Sequence, residues 1–237
     1  MKKLLTLLLT LCFLSSFAAK PKNKYVKITT SKGEVIIKLY NETPLHRDNF
    51  LKLAKEGFYD GTIFHRVIKA FMIQGGDPDS RNATPEATLG NGGLKYTIPA
   101  EFVDSLFHKK GVLAAAREGD DSNPTKASSS SQFYIVQGKI WTDSTLNVLE
   151  EKRLKFKIPA SQREVYKKIG GTPHLDRNYT VYGEVVKGLA MVDSIADVET
   201  NKADRPKEDI KMTVTVLKKR EVRRLEKELK RANSTKK

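Results

Sequence analysis

The chain is short of the residues that hold small disulfide-bonded or metal-bound domains together. Its 237 residues include one cysteine, one tryptophan and four histidines. One cysteine cannot form a disulfide within the chain, and no two histidines have the His-x-His or His-Glu-x-x-His spacing of a metal site. We therefore expect a fold that depends on its hydrophobic core, with no metal ion and no cofactor.

Two common catalytic motifs are also missing. The segment Gly75-Gly76-Asp77 lacks the Lys-Ser/Thr pair of a phosphate-binding loop. The serines at 128–131 have no Gly-x-Ser-x-Gly context, and we interpret this run as a flexible loop of low complexity. The sequence thus favours neither a P-loop protein nor a serine hydrolase with a nucleophile elbow.

The apolar run at residues 4–17 is too short for a membrane span, which needs about 20 residues. It follows a charged start and precedes the small residues Ala18 and Ala19, a pattern typical of a secretory signal peptide over residues 1–19. We predict cleavage after Ala18 or Ala19, and a periplasmic or secreted mature protein with no integral membrane span. A retained short anchor is the alternative.

The single cysteine, Cys12, lies inside this apolar run. Lipoprotein signals have a small residue before the lipidated cysteine, whereas bulky Leu11 precedes Cys12. We therefore do not expect lipidation, and the mature chain is predicted to contain no cysteine.

The chain is strongly basic, with a formal net charge of +15, which falls by two to +13 when Lys2 and Lys3 leave with the signal. Residues 218–237 carry ten Lys or Arg against three Glu, with Val222, Leu225 and Leu229 at helical spacing. We interpret this tail as a solvated amphipathic helix, with an anionic surface as an alternative partner. Binding of nucleic acid is not predicted, because no basic stripe is interleaved with exposed aromatic residues.

Period-two alternation from Tyr25 to Tyr40, around Ser31-Lys32-Gly33, predicts a β-hairpin. Thr43 and Pro44 then predict a helix over 44–56, with the Thr43 side chain as N-cap. Further strands are expected in the β-rich runs at 62–68, 111–116, 132–136, 179–186 and 210–217, and a second principal helix near 191–195.

The segment 144–171 has a helical rather than a strand pattern. Leucines at helical spacing, a Ser161 and Glu164 capping box and a closing Gly170-Gly171 pair predict two short helices that form without help from the rest of the fold. Many short strands and two principal helices favour a mainly β protein, a closed antiparallel barrel without exposed sheet edges.

Three segments resemble the conserved blocks of cyclophilins. They are FHRVIKAFMIQGGD at 64–77, GVLAAAR at 111–117 with SQFYI at 131–135, and LD at 175–176 with VYGEV at 181–185. The resemblance covers about 25–217 and implies a cyclophilin-type peptidyl-prolyl cis/trans isomerase. It implies an eight-stranded barrel capped by two helices, with segment 144–171 as an insertion and a groove on the outer face. Proline-containing polypeptides are the implied substrates, and we expect a monomer.

The resemblance also implies roles for individual residues. Arg66 takes the place of the catalytic arginine. The implied substrate-binding residues are Phe71, Met72, Gln74, Ala116, Arg117, Gln132, Tyr134, His174, Leu175 and Tyr179, of which Ala116 and Arg117 use their backbone. His65 is expected to be a hydrogen-bonded structural histidine, because alternation places it on the face opposite Arg66.

Four positions depart from the commoner family pattern. Tyr134 replaces a phenylalanine, Arg117 an asparagine, Tyr179 a pocket histidine and His174 the tryptophan associated with tight cyclosporin binding. Trp141 precedes the helical segment and is not assigned to that tryptophan position. Tyr179, His174 and the long segment 144–171 leave open a non-catalytic binding module, whereas the presence of Arg66 favours an enzyme.

Overall fold

A computed structural model describes residues 22–234 of the chain. The strands are β1 (Lys24–Thr30), β2 (Gly33–Leu39), β3 (Phe64–Ile68), β4 (Met72–Gly75), β5 (Thr97–Ile98), β6 (Val112–Ala115), β7 (Ser128–Ser129), β8 (Phe133–Val136), β9 (Val181–Lys187) and β10 (Met212–Val216). The helices are α1 (Pro44–Lys55), α2 (Asp143–Lys152), α3 (Ala160–Ile169), α4 (Ala190–Ala196) and α5 (Lys219–Ser234), with 3₁₀ turns at Pro78–Asn82 and Pro173–Leu175. The predicted signal peptide lies outside the described residues.

Eight strands form one antiparallel sheet in the order β10-β1-β2-β9-β6-β8-β4-β3, and β5 pairs with β7. The edge strands β10 and β3 meet where they begin: Ile63 lies opposite Lys211, Phe64 N–H donates to the Ile210 carbonyl, and Met212 N–H donates to the Thr62 carbonyl. Farther along β3, the edge N–H of Val67 instead donates to the loop carbonyl of Asp204, at 2.7 Å. The mainly β, barrel-like fold is confirmed, but "closed" overstated it, because a loop occupies part of the edge.

The sheet packs different clusters on its two faces. Inside, the paired residues Val67, Ile73, Ile135 and Leu113 join the main core. Helices α1 and α4 cover this core with apolar side chains, among them Phe50 and Val192, which makes them the two expected capping helices. A second, smaller cluster lies on the outer face. Burial of both faces explains why β6 and β8 are apolar at every position.

Helix α1 begins where expected, but the Thr43 side chain does not cap it. Its hydroxyl is buried without a partner, and the helix N-terminus is capped from elsewhere in the chain. The Glu101 carboxylate accepts hydrogen bonds from the backbone N–H of Leu45 at 3.1 Å and of His46 at 3.0 Å. A carboxylate suits this position because it meets the unpaired N–H groups and the positive end of the helix dipole.

Segment 144–171 forms the two predicted helices, α2 and α3, although the capping box is not at Ser161 and Glu164. It lies at the start of α2, between Thr142 and Thr145, while α3 begins after Pro159 with no side-chain cap. The Glu150 carboxylate ties the helices together by accepting from Ile158 N–H and Arg163.

The helix pair is joined to the barrel by buried contacts. The Tyr166 side chain of α3 is fully buried and donates a 2.6 Å hydrogen bond to Asp176. Lys110 N–H donates to the Gly170 carbonyl at 3.0 Å, which joins the end of α3 to the approach to β6.

The serine run is ordered rather than flexible. Ser128, Ser130 and Ser131 are buried, and Ser128 and Ser129 form β7. Ser130 Oγ accepts from Leu94 N–H at 2.8 Å, while its carbonyl accepts from the Asn49 side chain at 2.7 Å. The interpretation as a flexible loop was wrong because it used only local composition, whereas these hydrogen-bond partners come from distant parts of the chain.

The basic tail forms helix α5, which rests on the barrel through its apolar stripe. Leu225 is buried, and Glu226 accepts hydrogen bonds from the side chains of Asn23 and Tyr25. Within residues 22–234, no helix is both long enough and apolar enough to cross a membrane.

The Glu101 cap gives a first testable prediction. Glu101→Gln replaces one acceptor oxygen with an NH₂ group that faces the donors of α1. We expect the free energy of unfolding to fall by about 1–3 kcal/mol, the cost of losing a hydrogen bond to a buried charged group. Urea denaturation of both proteins measures it. Glu86→Gln, an exposed change of the same kind, is the control, and equal stability of the two variants would contradict the capping role.

Candidate functional site

Strand register brings the predicted catalytic arginine and two predicted substrate-binding residues into one row on the outer face. Arg66 of β3 pairs with Gln74 of β4, which pairs with Tyr134 of β8. Directly paired residues share a face, and adjacent strands lie about 4.8 Å apart. Arg66 therefore stands about two strand spacings, or about 10 Å, from the Tyr134 backbone.

Arg66 is accessible to a ligand, since 43% of its side chain is exposed. Its Nε lies 3.5 Å from a carboxylate oxygen of Asp204, which is equally exposed. An ion pair this exposed contributes little to stability, so it orients the guanidinium without consuming its hydrogen-bonding capacity. Asp204 could not be anticipated from the sequence, because it approaches β3 from a loop far along the chain.

The two glutamines form a polar wall beside Arg66. Gln74 Nε2 donates to Gln132 Oε1 at 3.1 Å, and Gln132 Nε2 donates to the carbonyls of Gly90 and Gly92 at 2.9 and 2.7 Å. These bonds fix which end of each amide faces the groove. A polar cleft of about 510 Å³ adjoins this wall and was not anticipated from the sequence.

The side chains assigned to the proline pocket meet on the same face. Met72, Tyr134 and Leu175 are buried in the outer cluster, with Phe71 and Tyr179 packed partly exposed against it. His174 stacks on Phe71 with ring centroids 5.5 Å apart and an angle of 26°. The structure thus brings together the aromatic and aliphatic side chains assigned to the proline pocket.

Tyr179 and Arg117 form one side of this pocket. The Tyr179 ring packs edge-on against Tyr134, and the Arg117 guanidinium lies 4.5 Å from the centre of the Tyr179 ring. Arg117 Nε also donates to the Asn178 carbonyl at 2.8 Å. The arginine that replaces asparagine is therefore held against the pocket wall and does not extend into the groove.

The backbone positions at 116 and 117 differ in availability. Ala116 N–H donates to the Gln132 carbonyl at 3.0 Å, and the Ala116 carbonyl accepts from Ser129 N–H at 2.8 Å. Among hydrogen bonds of the described residues, none uses the Arg117 N–H. The Arg117 N–H therefore has no backbone partner among the described residues, whereas Ala116 retains only a second lone pair on its carbonyl.

His65 is buried while the neighbouring Arg66 is half-exposed, as alternation indicated. It is not hydrogen-bonded, however, since neither ring nitrogen has a partner. Burial lowers the pKa of His65 to about 4, and burial is likewise the main cause that lowers the pKa of His174 to about 4. Both imidazoles are therefore neutral at physiological pH.

A serine, a histidine and a glutamate meet below the cleft in an order resembling a hydrolytic triad. Ser128 Oγ lies 2.9 Å from His46 Nε2, and His46 Nδ1 lies 2.7 Å from Glu101. Ser128 is only 1% exposed, so no substrate carbonyl reaches its hydroxyl. This set links α1 to β7, which is a structural role.

Trp141 belongs to the helix pair and not to the groove. Its indole N–H donates to the Gly171 carbonyl at 2.9 Å, and its ring packs against the cluster around Leu146 and Tyr166. Among the residues that the structure describes, no group of three or more His, Cys, Asp or Glu side chains could hold a metal ion.

Comparison with known families agrees with this geometry. The sequence profile of the cyclophilin type peptidyl-prolyl cis-trans isomerases matches residues 25–216. A Staphylococcus haemolyticus protein provisionally named a peptidyl-prolyl cis-trans isomerase is 35% identical over 186 residues, which cover 78% of this chain and 86% of the relative.

A second relative, from Streptococcus pyogenes, is provisionally named a bifunctional phosphatase/peptidyl-prolyl cis-trans isomerase and is 38% identical over 188 residues. The match covers 78% of this chain but only 37% of that relative. The chain therefore spans little more than a third of the Streptococcus protein.

Solved structures support the fold. A Cryptosporidium parvum cyclophilin type peptidyl-prolyl cis-trans isomerase matches with a TM-score of 0.61 and 23% identity, over 83% of this chain and 99% of that structure. Together with the sequence profile and the relatives, this shows that the chain belongs to the cyclophilin-type peptidyl-prolyl cis-trans isomerase family.

Proposed function

We propose that the protein isomerises X-Pro peptide bonds of exported proteins outside the cytoplasm, with Arg66 as the catalytic residue. The observation that carries the catalytic assignment is the row of Arg66, Gln74 and Tyr134 beside an apolar pocket. A protein that only binds proline needs the apolar pocket alone. The accessible guanidinium of Arg66 beside the pocket adds a hydrogen-bond donor that can stabilise the twisted peptide bond of an isomerisation.

The barrier to be lowered is electronic. Conjugation keeps the peptide bond planar, with a rotation barrier of about 18–20 kcal/mol. Uncatalysed X-Pro isomerisation takes tens to hundreds of seconds, so a turnover of about 10 per second requires lowering the barrier by at least about 3–4 kcal/mol. No bond is broken, and no cofactor is needed for this chemistry.

Arg66 provides part of this stabilisation. As the bond twists, the prolyl nitrogen regains a lone pair that can accept a hydrogen bond. A charged donor that forms this bond only in the twisted state lowers the activation free energy by about 1.5–3 kcal/mol. A lysine would serve less well, because only the planar guanidinium presents several donors in fixed directions.

The remaining stabilisation comes from holding the two ends of the substrate. Phe71, Met72 and Leu175 enclose the proline ring, while the Arg117 N–H binds the carbonyl that precedes the proline. Gln74 and Gln132 supply the polar wall. These groups are fixed before the substrate arrives, so they stabilise the twisted bond without reorganising.

The proposed location rests on the leader at residues 1–19, whose charged start, short apolar core and small closing residues fit the signal-peptide pattern. A monomer that does not bind nucleic acid is also proposed. Three glutamates interrupt the cations of the tail, so the tail offers no long run of positive charge for nucleic acid.

The assignment of Arg66 is tested by Arg66→Ala. We expect kcat/KM on a short X-Pro peptide to fall about 10–200-fold, chiefly through kcat, because the lost hydrogen bond is made mainly in the transition state. Phe71→Ala should instead raise KM, because the Phe71 side chain contacts the proline ring of the substrate in both the ground state and the transition state. Protease-coupled peptide assays separate the two parameters.

Lys69→Ala is the matched control, since Lys69 is also a cation paired with a carboxylate, Asp197, but lies outside the pocket. It should retain normal kinetics. Circular dichroism confirms that each variant is folded. A folded Arg66→Ala protein with unchanged kcat/KM would reject the electrostatic mechanism in favour of a binding module.

Cyclosporin affinity should be weak, since the imidazole of His174 offers less apolar area than an indole and a different donor geometry. The substitution His174→Trp should tighten binding. Inhibition of isomerase activity by cyclosporin measures the affinity of both proteins. Nanomolar inhibition of the unsubstituted protein would contradict the assignment of His174 and point to Trp141 as the cyclosporin contact.

Export is tested on protein from the native host. N-terminal sequencing should find a mature chain that begins near Ala19 or Lys20, recovered outside the cytoplasm. An intact Met1 on the extracytoplasmic protein would indicate a retained anchor, and an intact Met1 on cytoplasmic protein would reject export.

A further inference from the structure

A buried chain of hydrogen bonds runs from the helix pair to the floor of the proline pocket. Tyr166 of α3 donates to Asp176 Oδ2 at 2.6 Å. Asp176 Oδ1 accepts from both the backbone N–H and Nδ1 of His108, at 2.8 and 2.9 Å. His108 Nε2 lies 2.9 Å from the Tyr134 hydroxyl. All four residues are at least nine-tenths buried.

Acceptor chemistry assigns the direction of each hydrogen bond. An ionised carboxylate can only accept, so the Nδ1 of His108 carries the ring proton. In the neutral imidazole, Nε2 then presents a lone pair and accepts from the Tyr134 hydroxyl. The Asp176 carboxylate therefore fixes the His108 tautomer and, with it, the direction of the hydrogen bond to the Tyr134 hydroxyl.

The backbone of Asp176 is joined to the other side of the pocket. Asp176 directly follows the 3₁₀ turn Pro173–Leu175, which carries His174 and Leu175. The Asp176 carbonyl also accepts from the Asn178 side chain at 3.2 Å, next to the pocket residue Tyr179. One buried residue, Asp176, thus connects α3, the pocket floor and the segment that forms the facing wall.

We propose that Tyr166, Asp176 and His108 are positioning residues that set the orientation of the Tyr134 ring, so that the helix pair α2–α3 determines how tightly the pocket holds proline. This inference rests on the proposed function of the groove and deepens it. None of the three residues is expected to touch the substrate.

The tyrosine at position 134 is what makes such positioning necessary. A phenylalanine is oriented by packing alone, whereas a buried hydroxyl without a partner is costly. The hydroxyl of Tyr134 must therefore meet His108 Nε2, and that requirement restricts the ring that packs edge-on against Tyr179. Loss of the Nδ1–H tautomer would place the Nδ1 lone pair against the Asp176 carboxylate, so that two acceptors face each other, and would reverse the direction of the hydrogen bond to the Tyr134 hydroxyl.

A double-mutant cycle between Tyr166→Phe and Tyr134→Phe tests the coupling. Tyr166→Phe removes one oxygen atom outside the groove and should raise KM and the Kd for the same X-Pro peptide about 3–10-fold, with kcat nearly unchanged. In the Tyr134→Phe background, the same substitution should change KM less than about twofold, since the phenylalanine ring has no hydroxyl for the chain of hydrogen bonds to orient. Rescue by Tyr134→Phe is the expected signature.

Thr142→Ala is the matched control within the helix pair. It removes the capping box of α2 without touching the chain of hydrogen bonds, so it should lower Tm and leave KM unchanged. An equal rise in KM for Thr142→Ala and Tyr166→Phe, or an effect of Tyr166→Phe that persists beside Tyr134→Phe, would overturn the proposal.

Nitrogen NMR of the His108 side chain provides a test that needs neither a variant nor activity. The Nδ1–H tautomer with an unprotonated Nε2 is expected, and an Nε2–H tautomer would overturn the proposal even if a variant fails to fold. If the unsubstituted protein lacks isomerase activity, the proposed function fails. Peptide Kd values in the same double-mutant cycle then still decide whether the chain of hydrogen bonds orients the Tyr134 ring.

Discussion

The alternation of side chains along antiparallel strands is the constraint on which the groove depends. In β3 and β4, Val67 and Ile73 enter the inner core, while their neighbours Arg66 and Gln74 face outward. A shift of one residue in register would exchange these faces. The inner core therefore fixes the row of Arg66, Gln74 and Tyr134, because each of these residues is next in the chain to a residue buried in that core.

Features that depend on local pattern could be predicted from the sequence. The hairpin at β1 and β2 and the limits of α1 follow from period-two alternation and from Pro44 at the first helical position. The pocket residues came from the resemblance at 64–77 and the two later blocks. The structure brings these residues together, and their roles remain predictions.

Features that depend on distant partners could not be predicted in this way. Thr43 has the residue type of an N-cap, but Glu101 reaches α1 from 55 residues away along the chain. The hydroxyl of Ser128 faces His46 across a separation of 82 residues. No local window contains such pairs, so the sequence suggested a threonine cap and a flexible serine loop where the fold uses long-range hydrogen bonds.

The cap of α1 and the floor of the pocket use the same arrangement of groups. In each, one carboxylate accepts from both the backbone N–H and the Nδ1 of a single histidine, Glu101 for His46 and Asp176 for His108. In each, the Nε2 of that histidine faces a buried hydroxyl, that of Ser128 or that of Tyr134.

Each arrangement connects segments that are distant in the chain. Burial is the largest influence on His46 and lowers its pKa, although Glu101 acts in the opposite direction. Its Nε2 is therefore free to accept from Ser128 at neutral pH. What differs between the two sites is the owner of the hydroxyl. Ser128 is buried in the short strand β7, whereas Tyr134 belongs to the outer cluster that is proposed to hold proline, so on that proposal the same arrangement acts on the substrate only at the second site.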